Sequence, residues 1–282
     1  MTGTSERPAR PSQRGRNVAT LLALVVFVWA VLSVEADYSK LLDLPASLAD
    51  KFVRMFFPPA FDKFDESVAA MIESLQIAWL GTIIGAVLSL PLGFFGAKNV
   101  TSGRVSTIMR QLLNAIRAFP EIVLAFVFMI PIAGLGAPAG VLAIGVHSIG
   151  TLGKLTAEVI EGIDTGPVEA ARATGAGSLA VQRWGVLPQV LPEIAAFWLY
   201  RFEINVRASA ILGVIGAGGI GGILQNYLSF RRWEFAGMAV LVVIVATMMV
   251  DFVSGALRRR IIEGSPRARA LREEPLTADA TA

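Results

Sequence analysis

The chain has 282 residues, of which 54% are hydrophobic and 17% are charged, and its formal net charge is +3. Soluble domains are typically less apolar and about 25% charged, so this composition indicates a membrane protein. Because the sequence contains no cysteine, disulfides, thiol catalysis and cysteine metal sites are excluded. A single histidine makes a histidine metal centre unexpected, and the small net charge gives no indication of a nucleic-acid partner.

Six apolar stretches approach or exceed the length needed to cross about 30 Å of hydrocarbon as helices. They cover approximately residues 18–34, 75–95, 109–133, 141–163, 194–215 and 235–257. The predicted fold class is therefore an all-α, polytopic membrane protein with about six transmembrane helices. The first stretch could also belong to a signal peptide, since Val34-Glu35-Ala36 resembles a cleavage site. It is longer than the usual apolar region of about 7–15 residues, so an uncleaved span is favoured.

The spans divide the chain into four predicted regions. These are a disordered cytoplasmic tail (1–16), a first span with an extracytoplasmic connection (17–70), a transmembrane core containing the loop 164–193 (71–260), and a second disordered cytoplasmic tail (261–282). Within the connection, Leu48, Phe52 and Phe56 recur at helical spacing, which predicts a short helix lying at the membrane interface.

The distribution of lysine and arginine predicts that both termini lie in the cytoplasm. With six alternating spans and the N-terminus inside, the inner segments hold about 16 of these residues and the outer segments about 6. The remaining three, Arg117, Arg201 and Arg207, fall within spans. This topology places the loop 164–193 on the cytoplasmic side of the bilayer.

The cytoplasmic loop predicts two short helices that meet at a glycine. Pro167 precedes an alanine-rich helix start, and Glu169 lies in the first turn, where a negative charge suits the helix dipole. Gly175 can end this helix in a left-handed conformation. A second short helix, over about 178–184, is expected to continue until Pro188. We call the resulting pair of helices the elbow.

The elbow resembles the cytoplasmic loop of permeases of ATP-binding cassette (ABC) importers, which follows the pattern Glu-Ala-Ala-x3-Gly-x9-Ile-x-Leu-Pro. The matching residues are Glu169, Ala170, Ala171, Gly175, Leu187 and Pro188. The isoleucine position is Gly185, a departure that weakens one packing contact. The resemblance covers about 70–260 and implies a methionine-permease-like (MetI-like) core. It also implies that the elbow is a coupling helix that inserts into a groove on a separate ATPase subunit, which binds the ATP and Mg²⁺.

Charged residues inside the predicted spans are too polar to face lipid. Glu203 and Arg207 are spaced i,i+4 and can pair along one helix face, and Arg117 and Glu121 repeat that spacing in the third span. Two interpretations remain open: these are salt bridges that stabilise packing, or they line a polar pathway or gate. The pathway or gate candidates are Arg117, Glu121, Glu203, Asn205, Arg207, Ser209, Gly216, Gly218, Gly219 and Gly221. For His147, a hydrogen-bonding core residue is favoured over a site.

The run from Gly216 to Gly221 formally matches the dinucleotide-binding pattern G-x-G-x-x-G. That interpretation is rejected, because the pattern requires a preceding strand and an acidic residue about 20 positions further on. Closely spaced glycines instead allow a helix to break where the backbone lines a cavity.

Two segments are similar to the phosphonate importer permeases in particular. They are Glu203 to Ser209 followed by the glycine run, and Arg117-Ala118-Phe119-Pro120-Glu121. The resemblance implies import of phosphonates or related phosphorus oxyanions such as phosphate and phosphite. It also implies a homodimeric permease in the inner membrane of a prokaryote, two ATPase subunits and an extracytoplasmic binding protein. Permeases for methionine and for glycine betaine share the glycine run and remain alternatives.

Other classes of membrane protein fit less well. No G-x4-G-K-[ST] sequence occurs, so nucleotide hydrolysis requires a separate polypeptide. A membrane enzyme would need clustered catalytic or metal-binding side chains, and an ion-coupled carrier or channel would leave the elbow unexplained. The chain is therefore predicted to be a non-catalytic subunit that works by alternating access.

Overall fold

A computed structural model describes residues 13–34, 40 and 43–263, which form helices and no strands. This confirms the all-α class. The described chain separates into two units, one reaching Phe52 and one beginning at Val53. Most of each predicted disordered tail lies outside the described residues.

The first unit contains α1 (Gln13–Ser33), which is long and apolar enough to cross a membrane. It begins at Gln13, within the last four residues of the segment predicted to be a cytoplasmic tail (1–16). The next helix, α2 (Leu44–Phe56), runs across the boundary between the units and has no buried residue. Pro45 fits its first turn, where a missing N–H has no cost. The helix predicted in this connection is thus confirmed.

The second unit holds the remaining helices. These are α3 (Phe64–Gly96), α4 (Gly103–Ala118), α5 (Glu121–Ala133), α6 (Ala137–Glu161), α7 (Thr165–Ala173), α8 (Ser178–Val181), α9 (Leu187–Val214), α10 (Ile220–Ser229) and α11 (Trp233–Glu263). A turn of 3-10 helix, Phe61–Lys63, precedes α3, and α5 contains a π-helical stretch, Leu124–Met129.

Three described helices have the length and apolar content of a membrane span, namely α1, α3 and α11, and the bent pair α4–α5 would be a fourth. Of the six predicted spans, α6 and α9 are long enough but less apolar. Their glycines are buried, as are Arg201 and Glu203 of α9, so these small and charged residues face protein and not lipid.

The third predicted span is not a single helix. It breaks after Ala118, and the two halves are bent by 84°. Pro120 precedes α5, and Phe119 has an extended backbone (φ −80°, ψ 126°). Proline disfavours helical geometry in the residue before it, so the chain leaves α4 at this point. The expectation of a continuous helix from 109 to 133 was wrong.

The contact between α3 and α6 is made by small residues spaced four apart. A Cβ atom added to Gly81 would lie 2.6 Å from Ile144 Cγ2, and one added to Gly85 would lie 2.3 Å from Ser148 Cβ. Glycine at i and i+4 thus lets the two backbones approach closely, as small residues do in membrane helix pairs. This contact holds α6 in the centre of the bundle.

Candidate coupling elbow and buried polar cluster

The first half of the elbow is a short helix, as predicted, but it begins at Thr165, so the expectation that Glu169 lies in its first turn was wrong. Asp164 caps α7, since its Oδ1 accepts a hydrogen bond from the Gly166 N–H at 2.9 Å. After the helix ends, Gly175 adopts φ +75°, and its N–H donates to the Arg172 carbonyl at 2.9 Å. The left-handed end of this helix is therefore confirmed, and glycine is the residue that adopts it without strain.

The second half of the elbow is not a separate short helix. It begins at Ser178 as predicted, but it continues through a π-helical turn, Gln182–Val186, directly into α9. Pro188 lies in the first turn of α9 and does not stop the helix, because proline is tolerated there. The fifth predicted span and the elbow are consequently one connected element.

Gly185, where the chain departs from the family pattern, sits at a close approach of two backbones. The residue is buried, and an added Cβ would lie 3.1 Å from Val168 Cα and 3.3 Å from the Pro167 carbonyl oxygen. The expectation that the glycine weakens a packing contact was wrong. Its missing side chain instead lets α7 lie directly against the π-helical turn.

A glutamine that the sequence did not single out connects the start of the elbow to α9. Gln189 Oε1 accepts from the Asp164 N–H at 3.1 Å, and Gln189 Nε2 donates to the Asp164 carbonyl at 3.1 Å. The same Nε2 donates to the Gly185 carbonyl at 2.6 Å. One amide side chain thus forms hydrogen bonds with three backbone groups and connects the start of α7, the π-helical turn and α9.

The family-pattern residues lie on the outside of the elbow. Glu169, Ala170, Gly175 and Pro188 are exposed, while Ala171 and Leu187 are partly buried. The interior is apolar, because Val168, Val181, Val186 and Val190 pack with Ala97, Ile160 and Ile194. The elbow thus has an apolar interior, and Leu179, Arg183 and Trp184 are exposed on its surface beside the family-pattern residues.

The charged residues that the sequence had paired along helices pair between helices instead. The break at Pro120 separates Arg117 from Glu121, and Arg117 is exposed. Glu121 Oε1 instead contacts Arg201 Nη2 and lies 2.9 Å from His147 Nδ1. The predicted i,i+4 pair in the third span was wrong, because that spacing brings side chains together only on an unbroken helix.

The second predicted i,i+4 pair was also wrong. Glu203 bonds to Arg258 of α11 at 3.0 Å, and Arg207 donates to both carboxylate oxygens of Asp251 at 2.7 Å. Both bonds connect α9 with α11. The interpretation of these charges as salt bridges that stabilise packing is supported.

A buried polar cluster surrounds the middle of α9. Arg201 Nε donates to Ser148 Oγ at 3.0 Å, and Asn205 Nδ2 donates to Ser148 Oγ at 3.1 Å and to Thr82 Oγ1 at 2.8 Å. His147 Nδ1 lies 2.6 Å from Arg201 Nη2. These residues link α3, α6 and α9, and Glu121 adds α5.

Sequence reasoning named Glu121 and Asn205 as pathway candidates but missed Arg201, Ser148 and Thr82 as their partners. Serine and threonine are common in helices and give no signal by themselves. The recurrence of Gly81 and Gly85 one helical turn apart could have identified the face of α3 that carries Thr82. Ser209 stays outside the cluster, since its hydroxyl donates to the Val206 carbonyl of its own helix at 2.8 Å.

The glycine run breaks the helix between α9 and α10, as predicted. Gly216, Gly218 and Gly219 have φ of +90°, +80° and +74°. The turn is fixed from both sides, because the Gly136 N–H donates to the Gly216 carbonyl at 2.8 Å and the Ile220 N–H donates to Ser74 Oγ at 2.9 Å. A Cβ at Gly221 would lie 1.9 Å from the Ala210 carbonyl oxygen, so α10 folds back tightly on α9.

Neither a metal centre nor a dinucleotide site is present in the described part of the chain. It contains no group of three or more histidine or acidic side chains that could hold a metal ion. The glycine run follows α9, which is a helix, whereas dinucleotide binding requires a strand at that point.

Comparisons with known proteins agree with this architecture. A phosphite transport system permease protein, PtxC of Stutzerimonas stutzeri, is 39% identical over 84% of this chain and 88% of that protein. The phosphate-import permease protein PhnE of Mycolicibacterium smegmatis is 36% identical over 89% of this chain and 46% of that protein. A solved inward-facing structure of the MetNI methionine ABC transporter matches with a TM-score of 0.61 and 22% identity, over 69% of this chain and 95% of that one.

At 22% identity the structural match shows the fold, which is that of an ABC importer permease. The family of binding-protein-dependent transport system inner membrane components matches residues 89–263, a range that contains the elbow, the glycine run and the polar cluster apart from Thr82. The chain therefore belongs to the family of binding-protein-dependent transport system inner membrane components.

Proposed function

We propose that the chain is the membrane-spanning permease of an ABC importer for phosphorus oxyanions, in the class of phosphite, phosphate and phosphonates. The observation that carries this proposal is the 39% identity to a phosphite permease over 84% of the chain, together with the packed elbow. The relative supports the substrate class, and the elbow supports coupling to a separate ATPase. The chain's own arginine in a buried polar setting is compatible with an anionic substrate.

The proposed assembly contains two copies of the chain, two ATPase subunits that bind ATP and Mg²⁺, and an extracytoplasmic binding protein. The chain itself is proposed to catalyse no reaction. ATP-driven closure of the ATPases would move the elbow, and α9 would follow because it continues from the elbow without interruption. Alternating access then requires no bond to be made or broken by the permease.

Transport tests the substrate class. The permease, its ATPase and its binding protein are reconstituted in liposomes, and uptake of radiolabelled phosphite, phosphate and methylphosphonate is measured with and without ATP. We expect ATP-dependent uptake of at least one of these anions and no competition by methionine. Uptake of methionine or glycine betaine alone would refute the substrate class. Uptake driven by an ion gradient without ATP would indicate a carrier.

Thiol labelling tests the orientation, and the absence of cysteine makes the chain a clean background. Ala170→Cys places a thiol on the exposed surface of the elbow, and Asp62→Cys places one before α3, on the proposed outer side. A membrane-impermeant maleimide should label the first only in inverted vesicles and the second only in intact cells. The opposite pattern would place the elbow outside and contradict ATPase coupling.

A further inference from the structure

A buried arginine in the middle of α9 is covered by one carboxylate. The side chain of Arg201 is 6% exposed and that of Glu121 is 17% exposed. Glu121 lies in the first turn of α5, immediately after the break that bends the chain by 84°. Among the described residues, Glu121 is the acidic side chain paired with this guanidinium.

Two polar groups near Arg201 have hydrogen-bonding capacity that Glu121 does not satisfy. Ser148 Oγ accepts from both Arg201 and Asn205, so its own O–H is left to donate elsewhere. Asn205 is fully buried, and its Oδ1 has no hydrogen-bond partner. A buried acceptor without a partner destabilises a protein, so its presence requires a reason.

A protonated phosphorus oxyanion supplies what the carboxylate lacks. Its oxygens present the same acceptors to a guanidinium as Glu121 does, and Arg binds both groups with paired hydrogen bonds. Its P–OH group is in addition a donor, which an ionised carboxylate does not have. That donor matches the free acceptor on Asn205.

We propose that Arg201, Ser148 and Asn205 form an intramembrane binding site for the transported phosphorus oxyanion, and that the anion takes the place of Glu121 on Arg201. This inference rests on the proposed function. In the exchange, Arg201 donates to the anion, Ser148 donates its O–H, and Asn205 Oδ1 accepts from the P–OH.

The exchange keeps the buried charge balanced. One monoanion replaces one carboxylate on Arg201, so no unpaired charge is left at membrane depth, where it would be costly. Glu121 also stays beside α6, because its Oε1 lies 2.9 Å from His147 Nδ1. The anion would thereby release α5 from α9 while α5 stays attached to α6.

Binding to the permease–ATPase complex, without the binding protein, tests the site directly. The complex is placed in nanodiscs, and equilibrium binding of radiolabelled phosphite and inorganic phosphate is measured. Glu121→Gln removes the competing charge and should raise affinity by about tenfold, as expected when the competent state is otherwise a minor fraction. Arg201→Gln should lower affinity by about tenfold or more, since it removes charged hydrogen bonds. Arg201→Lys keeps the charge, so its anion affinity should lie between those of the unmodified chain and Arg201→Gln.

The matched controls are Arg110→Gln and Glu161→Gln. They remove the same charges from another interhelical pair, in which Arg110 Nη2 and Glu161 Oε1 are 2.5 Å apart, at the C-terminal end of α6. Both should bind the anions as the unmodified chain does. Sulfate, which carries no proton at neutral pH, should bind more weakly than phosphate if Asn205 Oδ1 accepts from the ligand.

Two results would overturn the site. One is that Glu121→Gln and Arg201→Gln lower anion binding and thermal stability in parallel, as a purely structural salt bridge would. The other is that the unmodified complex binds neither anion while the complete system still imports them, which would remove the site and leave the proposed function intact. Failure of the complete system to import any phosphorus oxyanion would instead refute the proposed function.

Discussion

Replacing Gly185 with isoleucine, the residue that the family pattern has at this position, should damage this protein. The Cβ alone would lie 3.1 Å from Val168 Cα and 3.3 Å from the Pro167 carbonyl oxygen. Both are backbone atoms, so a change of rotamer cannot relieve the contact, and the remaining three carbons of isoleucine enlarge it. Overpacking of a closed site costs about 1–3 kcal/mol, which is a factor of about 5 to 150 in the equilibrium for docking α7 against the π-helical turn.

The assay combines transport with a measure of elbow structure. Gly185→Ile should insert in the membrane normally, but it should lose ATPase binding in pull-down and lose ATP-dependent uptake. Gly185→Ala, which adds only the Cβ, should show a smaller loss in both. Gly177→Ser is the control, since a Cβ there meets nothing within 4 Å and serine is a favoured residue at a helix start.

Unchanged ATPase binding and uptake in Gly185→Ile would refute the reasoning. It would mean that α7 can move away from the π-helical turn at no cost, so the close approach would not determine the position of the elbow.

Three other experiments test the packing of the bundle and of the elbow. Gly85→Leu should prevent accumulation of folded protein in the membrane, because its Cβ would lie 2.3 Å from an atom of α6, whereas Gly255→Leu, with nothing within 4 Å, should be tolerated. Gly175→Val should weaken ATPase binding, since φ +75° costs a β-branched residue about 1–2 kcal/mol, and Gly175→Asn should restore part of it. A double-mutant cycle on Arg207 and Asp251, read by thermal unfolding in detergent, should give a coupling of about 0.5–1 kcal/mol, because this ion pair is half exposed. A coupling near zero would show that the pair does not hold α9 to α11.

Local features of the elbow could be predicted because neighbouring residues determine them. Asp164 caps α7 by accepting a hydrogen bond from Gly166, which is two residues further along the chain. Gly175 ends the same helix in a left-handed conformation. The family pattern added the position of this segment relative to the spans. The continuation of the second helix through Pro188 could not be predicted in the same way, since a proline in a first turn and a proline that ends a helix look alike in sequence.

The ion pairs could not be predicted because they depend on which helix faces which. The i,i+4 rule describes a helix whose side chains have only each other and water as partners. In this bundle, Glu203 and Arg207 find stronger partners on α11, where Arg258 and Asp251 provide fixed geometry. For Glu121 the decisive local signal was present in Pro120, which breaks the helix on which the predicted pair depended.

A single helix, α9, joins the elbow to the polar cluster, so a movement of the elbow is transmitted to the cluster. Leu187 lies at the start of α9 and Arg201 in its middle, about 21 Å away at 1.5 Å per residue. Gln189 fixes the first turn of α9 to the start of α7, so a displacement of the elbow moves α9 as well. Beyond the cluster, Gly216 breaks the helix, and the motion need not continue into α10. A force applied by an ATPase at the elbow would therefore act first on the contact between Arg201 and Glu121, which is where the proposed anion exchange occurs.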